Sequence, residues 1–106
     1  MLMTTADSFA DHEIEETLGL VSTNTVRARN VGRDILAGLK NLVGGELGAY
    51  QQLLKESRSQ AMEQLEEEAQ TLGGNAIVAV RMTSSSIAQG ASEVLIYGTA
   101  VKLRMK

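Results

Sequence analysis

The sequence contains no cysteine and no proline, and its 106 residues include a single histidine. Without cysteine there can be no disulfide, no thiolate metal site and no cysteine nucleophile. The absence of proline fits long uninterrupted helices and strands rather than a scaffold rich in loops. Aromatic residues are equally scarce, so the core has to be aliphatic; the aromatic side chains are Phe9, Tyr50 and Tyr97.

Positive charge is also in short supply, with a formal net charge of −3 and a pI of about 5.1. General nucleic-acid binding draws most of its affinity from clustered lysine and arginine, so this balance argues against it. No apolar run approaches the ~20 residues that span a bilayer, and residues 1–11 lack the basic flank and apolar block of a signal peptide. We expect one domain, residues 1–106, located in the cytoplasm.

The longest pattern in the chain predicts a helix from Glu46 to Leu72. Small and apolar residues recur there with the three-and-four spacing of one helix face. They are Leu47, Tyr50, Leu54, Ser57, Ala61, Leu65 and Leu72. At about 1.5 Å per residue this helix would run roughly 40 Å, so it needs a sheet under most of its length. Gly73-Gly74 ends it.

A strand and a shorter helix are predicted before the long helix. The strand runs over Ile14–Thr23, with an extension to Ala28 left open, and Gly19 marks a bulge or a close backbone approach. Its faces would carry Leu18, Leu20 and Ser22 on one side and Thr17, Gly19, Val21 and Thr23 on the other. The helix covers Asn30–Val43, because Asn30 is a good N-cap and Gly44-Gly45 supplies a stop.

Two further strands, Ala76–Thr83 and Glu93–Leu103, should pair antiparallel across a connection at Ser84–Ser92. In the first strand Val78, Val80 and Met82 would oppose Ile77 and Ala79. In the second, Leu95, Tyr97, Thr99, Val101 and Leu103 would oppose Val94, Ile96, Gly98 and Ala100. Met1–Asp11 is short and polar, and is either frayed or a small edge strand.

Both faces of these two strands are largely apolar. In a small unit of this kind the helices cover one face of the sheet, and a face in water should alternate apolar with polar residues. A second layer is therefore required, and the chain has no residues left to supply it. Another copy of the chain is the simplest supplier, because most oligomers are symmetric self-assemblies. We predict a homo-oligomer.

A cluster of charge where the first strand gives way to the first helix is a candidate anion site. Arg27, Arg29, Arg33 and Asp34 lie beside a helix N-terminus, where a phosphate or carboxylate could bind. The alternative is a salt-bridge cluster at a subunit contact. The candidate ligand-binding set for an enzyme acting on a small anionic substrate is Arg29, Arg33 and Asp34 with Glu46, at the start of the long helix.

Histidine and cysteine are the usual nitrogen and sulfur ligands of metal sites in proteins. Because the chain has no cysteine, its single histidine, His12, is the one candidate of this kind. Its neighbours are the oxygen donors Asp11, Glu13, Glu15 and Glu16. A solvated acidic segment explains the same residues. Catalysis has little support, because the serines at 84–86 would need a base and His12 is the only imidazole.

Several segments together carry a resemblance to a known family. In order along the chain they are Leu18-Gly19-Leu20-Val21-Ser22, Arg29-Asn30-Val31-Gly32-Arg33-Asp34, Leu42-Val43-Gly44-Gly45-Glu46 with Tyr50, Arg58, Leu72-Gly73-Gly74-Asn75-Ala76-Ile77-Val78 and Gly98-Thr99-Ala100-Val101. This combination resembles the YbjQ-like family of small uncharacterised bacterial and archaeal proteins, which are sometimes labelled heavy-metal-binding. The resemblance spans about residues 4–103.

The resemblance implies an α+β, dodecin-like, two-layer β-α-β-β unit assembled as a homopentameric ring, with Met3–Thr5 as an inter-subunit strand. The residue patterns add two consecutive helices on a three-stranded, mainly antiparallel sheet. The heavy-metal label cannot be placed residue by residue, because the chain has no cysteine and one histidine. A ring could still build a site from one residue of each subunit.

The leading functional expectation is a non-enzymatic, ring-forming homo-oligomer whose partner is itself and which holds a small ligand or ion at its subunit junctions. Metal binding or handling, through His12 and acidic residues or through a ring of side chains, is the second hypothesis. The third is the enzyme on a small anionic substrate. No cofactor is identified, although a metal ion fits the second hypothesis.

Overall fold

One long helix lies against a sheet of long strands. The computed structural model describes residues 1–28, 45–88 and 91–106. The elements in chain order are β1 (Leu2–Met3), β2 (His12–Ala28), α1 (Gly45–Thr71), β3 (Ala76–Ala88) and β4 (Ala91–Met105). The long helix matches its prediction to within one residue at each end. The predicted helix at Asn30–Val43 lies outside the described residues.

The sheet has four strands in the order β1-β3-β4-β2, and it is mixed. β4 pairs antiparallel with both β2 and β3, whereas β1 pairs parallel with β3. The α+β class is therefore confirmed, but the three-stranded sheet is corrected to four strands. The pairing of the N-terminal segment with β3 extends one residue beyond β1, since the Thr4 amide donates to the Ile77 carbonyl at 3.1 Å. Met3 and Thr4 thus bond to β3 of their own chain. An inter-subunit contact through the outer edge of β1 stays a prediction.

The hairpin of β3 and β4 is longer than predicted. Ser84 pairs with Val94 and Ser86 with Ser92, and the ladder continues to Ala88 opposite Ala91. The predicted connection over Ser84–Ser92 was therefore wrong. Serine has weak strand preference of its own, but pairing with a neighbouring strand overrides such preferences.

The end of α1 is fixed by its glycines. Gly73 adopts a φ of 90°, which is readily available only to glycine. The Gly74 amide donates to the Ala69 carbonyl and the Gly73 amide to the Gln70 carbonyl, both at 2.9 Å. This is the Schellman pattern, which satisfies the last carbonyls of a helix. Within the described residues, no helix is long and apolar enough to cross a membrane.

The core between α1 and the sheet is built from small residues on the helix and aliphatic residues on the strands. Fully buried members are Val21, Ala61, Leu65, Ala69, Ile77, Val94, Ile96 and Ala100. The helix packs closely against β2, where the Thr23 hydroxyl donates a hydrogen bond to the Ala61 carbonyl of α1 at 2.9 Å. Within the sheet, Gly98 of β4 leaves room for the neighbouring strand β3, because a Cβ there would lie 2.8 Å from the Ile77 Cγ2 atom.

The opposite side of the sheet, here called the far face, has a small core of its own. Ala76, Val78, Val101 and Leu103 are buried there, and Phe9 packs against them. The segment before β2 thus supplies part of the second layer. The expectation that the chain has no residues left for this layer was wrong, because a lone aromatic residue in a polar segment gives no periodic signal.

Two bulges shift the side chains relative to the predicted faces. The register of β2 shifts between Thr17 and Gly19, and Gly19 has a φ of 132°. The bulge predicted at this glycine is therefore confirmed. Consequently Leu18 packs against the helix-facing core while Leu20 is exposed. In β3 the slip falls between Val78 and Arg81.

The bulge in β3 contains Ala79, whose φ of 54° is unusual for a residue with a side chain. Its amide donates to the Ala6 carbonyl at 2.8 Å, so the N-terminal segment supports the distortion. Val80 packs with Ile77 against the helix-facing core, and Met82 pairs with Ile96. The predicted grouping of Val80 and Met82 with Val78 was therefore wrong.

Candidate functional site

The candidate anion-binding set cannot be assembled from the described residues. Arg29, Arg33 and Asp34 lie outside them. Glu46 is the second residue of α1. Ligand binding by this set stays a prediction.

The surroundings of His12 are mainly apolar and backbone. Its ring meets that of Phe9 edge to face, with 6.1 Å between the ring centroids, and its amide donates to the Phe9 carbonyl at 3.1 Å. The Nδ1 atom is buried without a hydrogen-bond partner among the described residues. The nearby Glu13 is an exposed carboxylate bound to Arg104 at 2.9 Å.

No group of three histidine, aspartate or glutamate side chains that could hold a metal ion occurs within residues 1–28, 45–88 and 91–106. His12 and its acidic neighbours therefore do not form a complete site in one chain. A site shared between copies stays a prediction. Methionine thioethers are the other soft donors that this cysteine-free sequence offers.

The serines of β3 lie far from the only imidazole. His12 pairs with Met105 at one end of the sheet, whereas Ser84 pairs with Val94, which lies opposite Thr25. At about 3.3 Å per residue along β2, roughly 40 Å separates the two positions. His12 cannot act as a base for Ser84, Ser85 or Ser86 of the same chain.

The far face differs sharply between its two ends. We call the end covered by Phe9 the closed end; it comprises Phe9, Ala76, Val78, Val101 and Leu103. We call the other end the open end; it comprises Leu20, Ser22, Asn24, Arg81, Thr83, Leu95 and Tyr97. At the open end, Leu20 is 72% exposed and Tyr97 is 37% exposed. A leucine so exposed beside an exposed tyrosine is a candidate contact surface.

The outer strand edges at the open end are also uncovered by the described residues. β2 is the last strand of the sheet, and its 17 residues have β4 on one side only. On the other side of the sheet, β1 pairs only as far as Ile77, and hydrogen bonds from Ala79 and Val80 extend the cover slightly. Residues 20–26 of β2 and 82–88 of β3 contain no charged side chain. Natural edge strands usually carry charges or proline that prevent further pairing.

A small groove lies on the helix side of the sheet, between α1, β3 and the N-terminal segment. It has a volume of about 280 Å³. Its lining consists of Met3, Thr4, Thr5, Met62, Val80, Met82 and Ile96. Sequence reasoning missed it, because its three methionines lie on three different elements and no spacing connects them.

Comparison with known proteins identifies relatives of this chain. A family model described as "Putative heavy-metal-binding" matches residues 1–104. A UPF0145 protein of Halorubrum lacusprofundi is 54% identical over 104 residues, covering 98% of this chain and 100% of its own. A UPF0145 protein of Acinetobacter baylyi is 60% identical over 90 residues, covering 85% and 83% of the two chains.

A solved structure shares the fold. It is a protein of unknown function from Pediococcus pentosaceus, assigned to the DUF74 family. The TM-score is 0.69, with 98% of both chains covered and 17% sequence identity. At that identity the likeness concerns the fold alone. The match of the family model over nearly the whole chain decides the relationship: this protein is a member of the YbjQ family.

Proposed function

We propose that the chain is a non-enzymatic building block that assembles with copies of itself into a closed ring. One observation supports this most directly: at the open end, uncharged strand edges occur beside an exposed leucine and an exposed tyrosine. Leu20 and Tyr97 expose their side chains to the same side as Ser22 and Thr83. A strand of a second copy would pair with the outer edge of β2, and its side chains on the far face would pack beside Leu20.

The directions of the edge strands are compatible with a head-to-tail ring. β2 and β3 both run antiparallel to β4, so they run parallel to each other. If β2 of one copy lies beside β3 of the next in the same sense, each contact joins two different surfaces. Such head-to-tail contacts form closed rings when the rotation per copy divides a full turn.

The shape of the chain also supports assembly. Its Cα radius of gyration is 17.2 Å and its extents are 56 × 22 × 16 Å. A compact chain of 106 residues is expected to have a radius of gyration of roughly 13 Å. A chain stretched in this way buries less of its own surface, so association contributes more of the final burial.

Five copies are the number that the family resemblance implies, and a dodecin-like arrangement is part of the same proposal. Native mass spectrometry and light scattering test it on the untagged full chain. A pentamer has a mass of about 57 kDa, five times 11.4 kDa. A single-chain mass at micromolar concentration overturns the proposal.

A pair of variants locates the contact. Leu20→Lys places a charge at the open end, where Leu20 is 72% exposed, so the folded single chain should tolerate it. We expect the variant to dissociate the ring, because a desolvated ammonium would oppose the neighbouring copy. Ser59→Lys, at an exposed position of α1, is the matched control and should leave the mass unchanged. Equal dissociation by both variants would contradict a contact through the open end.

Metal handling is a second candidate function, favoured by the description of the family. The donor set of this chain restricts it. The absence of cysteine, and the lack of a carboxylate and imidazole cluster within the described ranges, disfavour a site for zinc or another borderline ion. What the chain offers is thioether sulfur, which suits a softer ion. Elemental analysis of the untagged protein tests for any bound transition metal.

A further inference from the structure

The groove beside β1 gathers three of the five methionines in the chain. Met3 comes from β1, Met62 from α1 and Met82 from β3, so three elements contribute a methionine to the lining of one groove. The remaining two, Met1 and Met105, do not line the groove. Met105 lies at the far end of β4, paired with His12.

The groove methionines are accessible from outside. Met62 is 37% exposed and Met82 is 38% exposed, while Met3 is half-buried. A methionine used only to fill a gap in a core is buried by its neighbours. These side chains instead line about 280 Å³ of open space, which an ion or small group can enter without the core being opened.

The chemistry of the lining favours a soft cation of low charge. Thioether sulfur is a neutral, polarisable donor that selects Cu(I) over harder ions, and Ag(I) is its close chemical analogue. No carboxylate is among the described residues that line the groove, and Val80 and Ile96 form apolar walls. A doubly charged ion would lose its hydration there without gaining a counter-charge, whereas a monovalent ion loses less.

From this placement we infer that Met3, Met62 and Met82 bind one soft monovalent metal ion, Cu(I) or its analogue Ag(I). The inference rests on the metal-handling candidate and deepens it by naming a site and a metal class. It does not depend on the ring, because all three donors belong to one chain. It also predicts little dependence on pH, since neutral thioethers, unlike thiols and imidazoles, release no proton on binding.

Titration of the full chain with Ag(I) tests the inference. With the methionine methyl groups labelled with ¹³C, each of the five gives its own NMR signal. We expect the signals of Met3, Met62 and Met82 to shift together and saturate at one Ag(I) per chain. Native mass spectrometry should count the same single ion, one pH unit above and one below the ordinary histidine pKa of about 6.5.

Three leucine variants identify the donors. Met62→Leu and Met82→Leu keep the side-chain volume and remove the sulfur, and such exchanges usually cost less than about 1.5 kcal/mol. Each should lower the Ag(I) affinity about tenfold or more. Met105→Leu, at a 69% exposed position, is the matched control and should leave the affinity unchanged.

The possible results separate the site from the function. Binding of Ag(I) or Cu(I) that both groove variants leave unchanged overturns the site but retains metal handling. Equal shifts of the Met105 methyl group indicate general thioether exposure and overturn the site in the same way. If neither ion binds the wild-type chain, both the site and the thioether form of metal handling are wrong.

Discussion

The two ends of the far face are made from the same three strands, yet the described residues cover only one of them. At the closed end, Phe9 covers Ala76, Val78, Val101 and Leu103. At the open end, Leu20 and Tyr97 remain exposed. The difference comes from the segment before β2, which is long enough to cover one end only. Among the described residues, the N-terminal segment thus covers the end where β2 and β3 begin and leaves the other end exposed.

The strand edges follow the same division. At the closed end of β3 the N-terminal segment adds β1. Its cover reaches the start of the open end, where Arg81 donates to the Thr5 carbonyl at 2.9 Å. Beyond Arg81 that cover stops. The comparison therefore predicts that substitutions at the closed end change the stability of one chain, whereas substitutions at the open end change its assembly.

The largest expected difference is between two leucines. Leu65 is fully buried between α1 and the sheet, so Leu65→Ala should cost about 3 kcal/mol through lost burial and a cavity. Leu20→Ala should cost less than about 0.5 kcal/mol in the single chain, because Leu20 is largely exposed. Urea unfolding at protein concentrations low enough to favour single chains measures both. Equal costs would mean that the open end is already covered within the chain.

The next largest change in unfolding free energy is expected at Asn75, whose side chain binds the backbone of β4 at the closed end. The Asn75 side chain donates to the Leu103 carbonyl at 3.0 Å and accepts from the Leu103 amide at 2.7 Å. Asn75→Ala removes both hydrogen bonds and should cost about 2 kcal/mol. Hydrogen exchange of the Leu103 amide should accelerate in parallel. Asn24→Ala, at an exposed open-end position, is the control, and an equal loss there would contradict the comparison.

The next prediction concerns two threonines on the helix-facing side of β2, whose replacement should change the free energy of unfolding by a smaller amount and in opposite directions. Thr23→Val removes the hydrogen bond to the Ala61 carbonyl and should destabilise by about 1 kcal/mol. The Thr25 hydroxyl is buried without a hydrogen-bond partner among the described residues. Thr25→Val should therefore be neutral or stabilise by up to about 1 kcal/mol. Thermal unfolding of both variants is the measurement. A clear loss for Thr25→Val would show that its hydroxyl has a partner in the assembled protein.

The smallest effect is expected from the ion pair of Glu13 and Arg104, which joins β2 and β4 at the closed end. The two side chains are 50% and 64% exposed, so solvent screens the pair. Arg104→Ala should change the free energy of unfolding by less than about 0.5 kcal/mol, and concentrated salt should remove even that difference. A larger loss of unfolding free energy would indicate that the aliphatic part of the Arg104 side chain contributes packing.

Several features were predictable because they depend on local patterns. The period of α1 and the Gly73-Gly74 pair placed its ends to within one residue. The alternation in β4 assigned its faces correctly, with Val94, Ile96 and Ala100 toward the helix and Val101 and Leu103 on the far face. Such patterns are visible because each residue contacts neighbours whose spacing is set by the element itself.

The features that sequence reasoning missed depend on contacts between distant residues. Ala79 looks like any strand residue, and only its bonding to the N-terminal segment explains its positive φ. Phe9 becomes a cover only once β3 and β4 lie beneath it. The same holds for the methionine groove, whose members come from three elements. The residues of the candidate anion set that sequence reasoning did identify fall mainly outside the described ranges.

The pairing of β2 with β4 has a consequence for how the protein is made. His12 meets Met105 about 90 residues later in the chain, and protein synthesis proceeds at roughly 5 to 20 residues per second. Between about 5 and 20 s therefore pass before the nascent β2 can find its template. During that interval its apolar stretch near Leu20 has no strand to join, so the ribosome-bound chain is the form most exposed to chaperones and to mispairing.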